Sequence, residues 1–210
     1  MLLVPSERLR PFFIATLCVT ALTFPGSGSQ RSPAKGSTPS TSDGPVYLPS
    51  GQSDAALMPM VLYSLGEPSL LEAAKDANFL SFRVSYISFP STRQVAVRLL
   101  VNTDGSGQIV SAVKSGEEKE VERTKGNVSV PDVKKFLQLI EKSGFWSMSS
   151  IEQKTDAVGR RTYTFDGTLW LLEGVGNGSF HYVYRRNPAP SPFKEVGRYL
   201  VENLTKLATP

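Results

Sequence analysis

Short apolar stretches between residues 80 and 190 are separated by Asp104-Gly105, Asp166-Gly167 and Gly176-Asn177-Gly178. No other feature limits the fold as much. Glycine takes positive φ without a Cβ penalty and asparagine tolerates it, so these sites predict tight hairpin turns between antiparallel strands. Four strands are expected first. Phe82, Val84 and Tyr86 alternate with Arg83 and Ser85, which predicts a strand buried on one side. The segments 94–102 and 108–115 flank the Asp104-Gly105 turn, and the charged 119–125 segment predicts an exposed edge. A second meander is expected to start near Arg161, turn at Asp166-Gly167 and Asn177-Gly178, and end at Arg186.

Helices fall between and around these strands. Residues 69–77 predict a short one with Ser69 as N-cap. The clearest helix opens at Ser129, with Pro131 and Asp132 in its first turn. It carries Val133, Phe136, Leu137 and Ile140 on one face, and Gly144 closes it. Phe145 and Trp146 follow as expected core plugs. A last helix starts at Ser191-Pro192 with Phe193, Val196, Leu200, Val201, Leu204 and Leu207 as its buried stripe. The predicted class is α+β: a two-layer domain whose antiparallel sheet, built from two meanders, carries its helices on one face.

The N-terminal part reads differently. Glu7, Arg8 and Arg10 precede an apolar run from Phe12 to Phe24 and then small residues, the plan of a secretory signal peptide over 1–29. The run is shorter than the roughly 20 apolar residues of a membrane span, so no transmembrane span is expected in the mature chain. Residues 30–55 are rich in Ser, Gly and Pro and predict a flexible linker, leaving 56–210 as a single domain. This organisation predicts an exported chain, periplasmic or secreted.

Composition then excludes much chemistry. The only cysteine, Cys18, lies within the leader, so a cleaved chain has no disulfide, thiolate ligand or cysteine nucleophile. With one histidine, a standard zinc site is not expected. Asn102, Asp104, Ser106 and Gly107 imitate the start of a calcium loop, but Val113 stands where the closing glutamate is needed. No phosphate loop or dinucleotide fingerprint is present, so no cofactor is expected. The net charge of +4 comes without a dense basic block, and no nucleic-acid partner is expected.

Residues 166–188 hold the candidate site: Trp170, Glu173, His181, Tyr182, Arg185 and Arg186, read as binding rather than catalytic residues. The turn register decides whether Glu173 and His181 meet. A two-residue Asn177-Gly178 turn sets Gly174 against His181 and Glu173 against Tyr182, and sends the two side chains to opposite faces. It also sets Trp170 against Arg185, where a cation–π contact can form. A three-residue Gly176–Gly178 loop sets Glu173 against His181, a pair that would raise the imidazole pKa.

The order Phe145-Trp146, DGTLWLLEG at 166–174, Phe180-His181, Arg185 and Pro188 resembles a family of uncharacterised exported bacterial proteins. That family carries an FW … DGxxWxLEG … G-[YF]-H … R … P pattern. The likeness covers roughly residues 80–207, and Phe180 stands where tyrosine is usual. It implies a bacterial, envelope-associated protein and no known activity, so no catalytic residue is carried over. The leading expectation is an exported non-catalytic binding module that meets a protein or envelope component through the second meander. The alternatives are an acid–base hydrolase using Glu173 and His181 near Asp166, and an inhibitor or immunity protein with a protruding turn at Asn187–Pro192.

Overall fold

The computed structural model describes residues 44–50, 55–116, 118, 120–152, 158 and 166–207. The signal peptide, most of the linker and the strand expected from Arg161 lie outside them. Helix α1 (Leu57–Ser64) and the short α2 (Leu70–Ala73) lead into β1 (Leu80–Phe89), β2 (Arg93–Val101), β3 (Gly107–Lys114) and β4 (Glu122–Val128). Helix α3 (Val130–Ser143) and a 3-10 turn at Phe145–Ser147 follow, then β5 (Gly167–Gly176), β6 (Ser179–Arg186) and α4 (Pro192–Arg198). The last helix continues as a π segment over Tyr199–Leu204 and closes with one α turn, Thr205–Leu207. The six strands form one sheet in the order β4-β3-β2-β1-β5-β6, antiparallel throughout. The α+β class stands. Among the described residues no helix is long and apolar enough to cross a membrane.

Local chemistry sets the helix ends where the sequence places them. The hydroxyls of Ser69, Ser129 and Ser191 accept from the backbone N–H groups of Glu72, Asp132 and Lys194. Gly144 ends α3 at φ 68°. On the first sheet face, Phe82, Val97, Leu99 and Leu172 form one core with Val133, Phe136 and Ile140 of α3, Phe193 and Val196 of α4, and Leu200 and Leu204 of the π segment. Phe145 plugs this core completely. Trp146 does not; it remains 42% exposed.

The opposite face is covered as well, so the two major helices share a face as expected while a further layer closes the other. Met58, Val61 and Leu62 of α1 pack with Leu65 onto Ala96, Ala112, Leu169 and Leu171. Tyr47 and Leu48 are buried in this layer, and the Tyr47 hydroxyl donates to the Glu67 carbonyl at 2.8 Å. Residues 44–50, which composition places in the linker, are thereby bound to the domain, and the Val46 backbone adds to the hold by accepting from the Ser69 hydroxyl and donating to Glu72 at 3.3 Å.

This second layer corrects the one-sided reading of β1. Ser81, Arg83 and Ser85 are buried along with Phe82 and Val84. Arg83 is neutralised in place. Its Nε and Nη2 donate to the two carboxylate oxygens of Glu173, each at 2.7 Å, and Nη1 donates to the Pro68 carbonyl at 2.6 Å. Glu67, also buried, lies 3.5 Å from Arg83, 3.0 Å from Arg98 and 3.4 Å from Arg123. Arg123 also donates to the Leu65 carbonyl. The alternation looked half-exposed because a paired arginine and an exposed arginine are identical in sequence.

The outer strands are guarded in two ways. Strand β4 leaves Glu122, Arg123, Thr124 and Lys125 exposed, as expected of an edge. Along β6, the Tyr184 N–H donates to the Ser150 carbonyl at 2.7 Å, and Ile151 bridges Tyr184 in parallel. Arg185 holds this strap by donating to the Ser149 carbonyl at 2.9 Å and approaching Glu152 at 3.3 Å.

Removing Glu173 should leave Arg83, in a low-dielectric layer, with only a 3.5 Å approach to a Glu67 that it shares with Arg98 and Arg123. Glu173→Ala is expected to cost about 3–5 kcal/mol in urea unfolding, and Arg83→Met with Glu173→Leu should recover much of that loss. A Glu173→Ala chain as stable as wild type would contradict this account of the ion pair.

Candidate functional site

Asn177 and Gly178 occupy the β5–β6 turn with φ 52° and 70°, the left-handed pair of a two-residue hairpin. Gly174 therefore faces His181, Glu173 faces Tyr182, and Trp170 faces Arg185. The six candidate residues divide between the two faces. Trp170, His181 and Arg185 lie on the α3–α4 side, while Glu173, Tyr182 and Arg186 lie on the α1 side. Glu173 and His181 form no pair, because one-residue offsets in a strand reverse the face.

Most of the six residues are committed to the fold. Glu173 is locked on Arg83. Burial pushes its carboxyl above the usual range while Arg83 pulls it back. Burial would lower Arg83, but Glu173 and then Glu67 outweigh it and hold the guanidinium above its ordinary value. Trp170 stacks on Tyr86 with ring centroids 5.1 Å apart and donates from Nε1 to the Thr168 hydroxyl at 3.1 Å. Helix α4 lies directly on it, and a Cβ at Gly197 would come within 2.8 Å of the indole. Arg185 sits 5.7 Å over the Phe193 ring, so its aromatic contact is Phe193 while the Trp170–Arg185 cross-strand register holds. Tyr182 is buried, and burial raises its phenol pKa against a pull from Ser150. Arg186 is half-buried on the Glu173 face.

Of the six, His181 lines a broad open cleft. A cleft of about 920 Å³ runs across one end of the sheet, where β1 and β6 begin and β2 and β5 end. Leu137, Ile140 and Glu141 of α3 form one wall, Trp146 and His181 another, and Phe79, Asn78, Asn102 and Phe180 extend the rim. Glycines in β5 make the Phe145-Trp146 placement possible. A Cβ at Gly174 would meet Phe145 at 2.6 Å, and one at Gly176 would meet Leu80 at 3.1 Å with Trp146 just beyond. The Gly176 that sequence reads only as a turn residue also supplies room for rings.

The His181 ring meets Phe145 edge-to-face with centroids 5.0 Å apart and lies 6.3 Å from Trp146. Among the described residues its buried Nε2 has no hydrogen-bond partner. Burial lowers the imidazole pKa, opposed by the backbone carbonyls of Met148 and Phe145. A pair with Glu173 would have raised it. Sequence reasoning missed Trp146 as a cleft wall, together with Asn78, Asn102 and Glu141. The Phe145-Trp146 doublet was the available signal, since two large rings in one turn cannot both point into the same core.

The calcium-like stretch has another use. The Asp104 carboxylate accepts from the Ser106 hydroxyl at 2.6 Å and its N–H at 2.9 Å, closing the β2–β3 turn. These bonds hold the Asp104 carboxyl below its ordinary pKa. Among the described residues no group of three or more His, Cys, Asp or Glu side chains is placed to hold a metal. No protein-family model matches the chain, and a search of curated proteins returns no match.

The lowered imidazole pKa has a definite sign in stability. The unfolded chain takes up a proton near pH ~6.5, before the native domain does. His181 therefore contributes stability that is full above that value and is lost as pH falls from it toward the native pKa. Melting temperatures of wild type and His181→Phe measured between about pH 7.5 and 5.5 should diverge, the variant giving the flatter curve. Parallel curves would refute the depressed pKa.

A second test concerns room for the rings. Gly174→Ala is expected to destabilise by about 1–3 kcal/mol through overpacking against Phe145. Denaturant midpoints that match wild type would show that Phe145 can yield without cost.

Proposed function

We propose that this chain is an exported, non-catalytic binding module of the bacterial cell envelope, holding its ligand in the cleft between the strand ends and α3. Export is supported by the leader-like residues 1–29 and by the likeness of residues 145–188 to an exported bacterial family. The observation that carries the binding reading is the cleft itself. It is about 920 Å³, large enough for a small-molecule or oligomer segment, and combines aromatic walls with separate amide and hydroxyl groups.

The contact surface thus moves from the middle of the second meander to its turn end. Trp170, Glu173 and Tyr182 are packed into the domain, and Arg185 holds the strap, so these four have little to offer a partner. The acid–base alternative requires Glu173 and His181 within hydrogen-bond reach, and they occupy opposite faces. The inhibitor alternative requires a protruding turn at Asn187–Pro192. That turn begins tied down: the Asn187 side chain accepts from the Thr168 N–H at 2.6 Å and donates to the Asp166 carbonyl at 3.0 Å, and Pro188 is buried.

The test uses immobilised full chain and envelope extract from the source cells. Wild type and Arg198→Ala, altered on an exposed side chain of α4, should retain the same component, and Trp146→Ala should lose it. Equal retention by Trp146→Ala, or no retained component, would count against the cleft as the binding site.

A further inference from the structure

We propose that the cleft takes an uncharged saccharide, with Trp146 as the platform against which a sugar ring lies. The assignment rests on the cleft being the binding site and goes on to the chemistry of what fills it. None of the described residues lining the cleft is a lysine or arginine, and Glu141 is the one carboxylate and His181 the one imidazole among them. A phosphate, sulfate or carboxylate group would meet a carboxylate and no cation, so the walls select against anions.

The remaining polar groups suit hydroxyls. Asn78 and Asn177 each carry both a carbonyl acceptor and an amide donor, and Asn102 adds a third amide, whose Nδ2 already donates to the Ser106 hydroxyl at 2.9 Å. A hydroxyl needs that combination, since it donates once and accepts as well. Trp146 supplies the apolar half of such a site. It is 42% exposed, yet its inner side is braced by Phe145 at 5.0 Å and Phe82 at 6.1 Å between ring centroids. A ring already held in place loses little freedom when a flat ligand settles on it.

Cleft position argues against an extended peptide. Peptides that join sheets pair with an edge strand, and the edges here are β4 and β6. The cleft crosses strand ends, and of the two edge strands only the first three residues of β6, 179–181, border it, too short a ladder for an added strand. Recognition there must come from side chains, as it does for sugars.

The full chain should be titrated with chitotriose, cellotriose and maltotriose as neutral probes, by calorimetry and tryptophan emission. Tetramethylammonium and a galacturonate trimer serve as cationic and anionic probes. At least one neutral trisaccharide should bind saturably. Trp146→Ala should weaken that binding by about tenfold or more and Asn78→Ala severalfold, while Glu141→Gln changes it by less than about twofold. Asn78 is exposed, so its variant carries the test if Trp146→Ala fails to fold.

Absence of binding by all three neutral sugars overturns the saccharide assignment. If tetramethylammonium or galacturonate then binds in a manner lost on Trp146→Ala, the cleft remains the binding site and only the ligand class is wrong. Sugar binding untouched by both Trp146→Ala and Asn78→Ala overturns the cleft as well.

Discussion

Arg83 is the charge around which the α1 side of this domain is assembled. It sits on β1, flanked by β2 and β5, fully buried, and a lone guanidinium there would be prohibitively unstable. Glu173 on β5 meets it with both oxygens, and the chain before α2 folds back so that Glu67 and the Pro68 carbonyl complete its shell. Because Glu67 also meets Arg98 and Arg123, the connection between α1 and α2 is fixed to β1, β2 and β4 together. Apolar packing is non-directional, whereas this cluster ties particular positions on β1, β2, β4 and β5 to the α1–α2 connection. A hydrophobic substitute could equal its stability without those directional contacts.

Much of the fold could be read from residue order because its signals are local. Ser129, Pro131, Asp132 and Gly144 each act within one helical turn, and α3 starts and stops where they direct. Asn177-Gly178 left two hairpin registers open, since either loop length satisfies the same glycines. What decides between them is nonlocal: the two-residue register puts Glu173 on the face where Arg83 waits and gives Gly174 to the Phe145 ring. Helix α1 escaped notice for a related reason. Leu57–Ser64 has no charged residue and no polar stripe, so its periodicity is weak, and only the small Ala96 and Ala112 beneath it reveal that something must lie close.

The candidate site was legible in region and not in detail. Residues 166–188 do contribute to the cleft, through Gly176, Asn177, Ser179, Phe180 and His181. The conspicuous residues Trp170, Glu173 and Arg185 turned out to be conspicuous for packing, ion pairing and strap-holding. A large or charged side chain in a strand announces that something unusual surrounds it, and sequence cannot say whether that surrounding is a ligand or the protein itself. Asn78, Asn102 and Glu141 come from three separate segments that only the sheet topology brings to one end, which is why no spacing rule could have gathered them.

The strap along β6 ties two properties together. Ser149–Glu152 shields the outer strand, and it is the direct continuation of the Phe145–Ser147 turn that carries Trp146. Protection from edge-to-edge association and the shape of the cleft therefore share one short length of backbone, fastened chiefly by Arg185. A substitution that frees the strap would expose a template for misassembly and unseat the cleft wall in the same event. Edge protection and cleft shape are thus coupled through the same four residues.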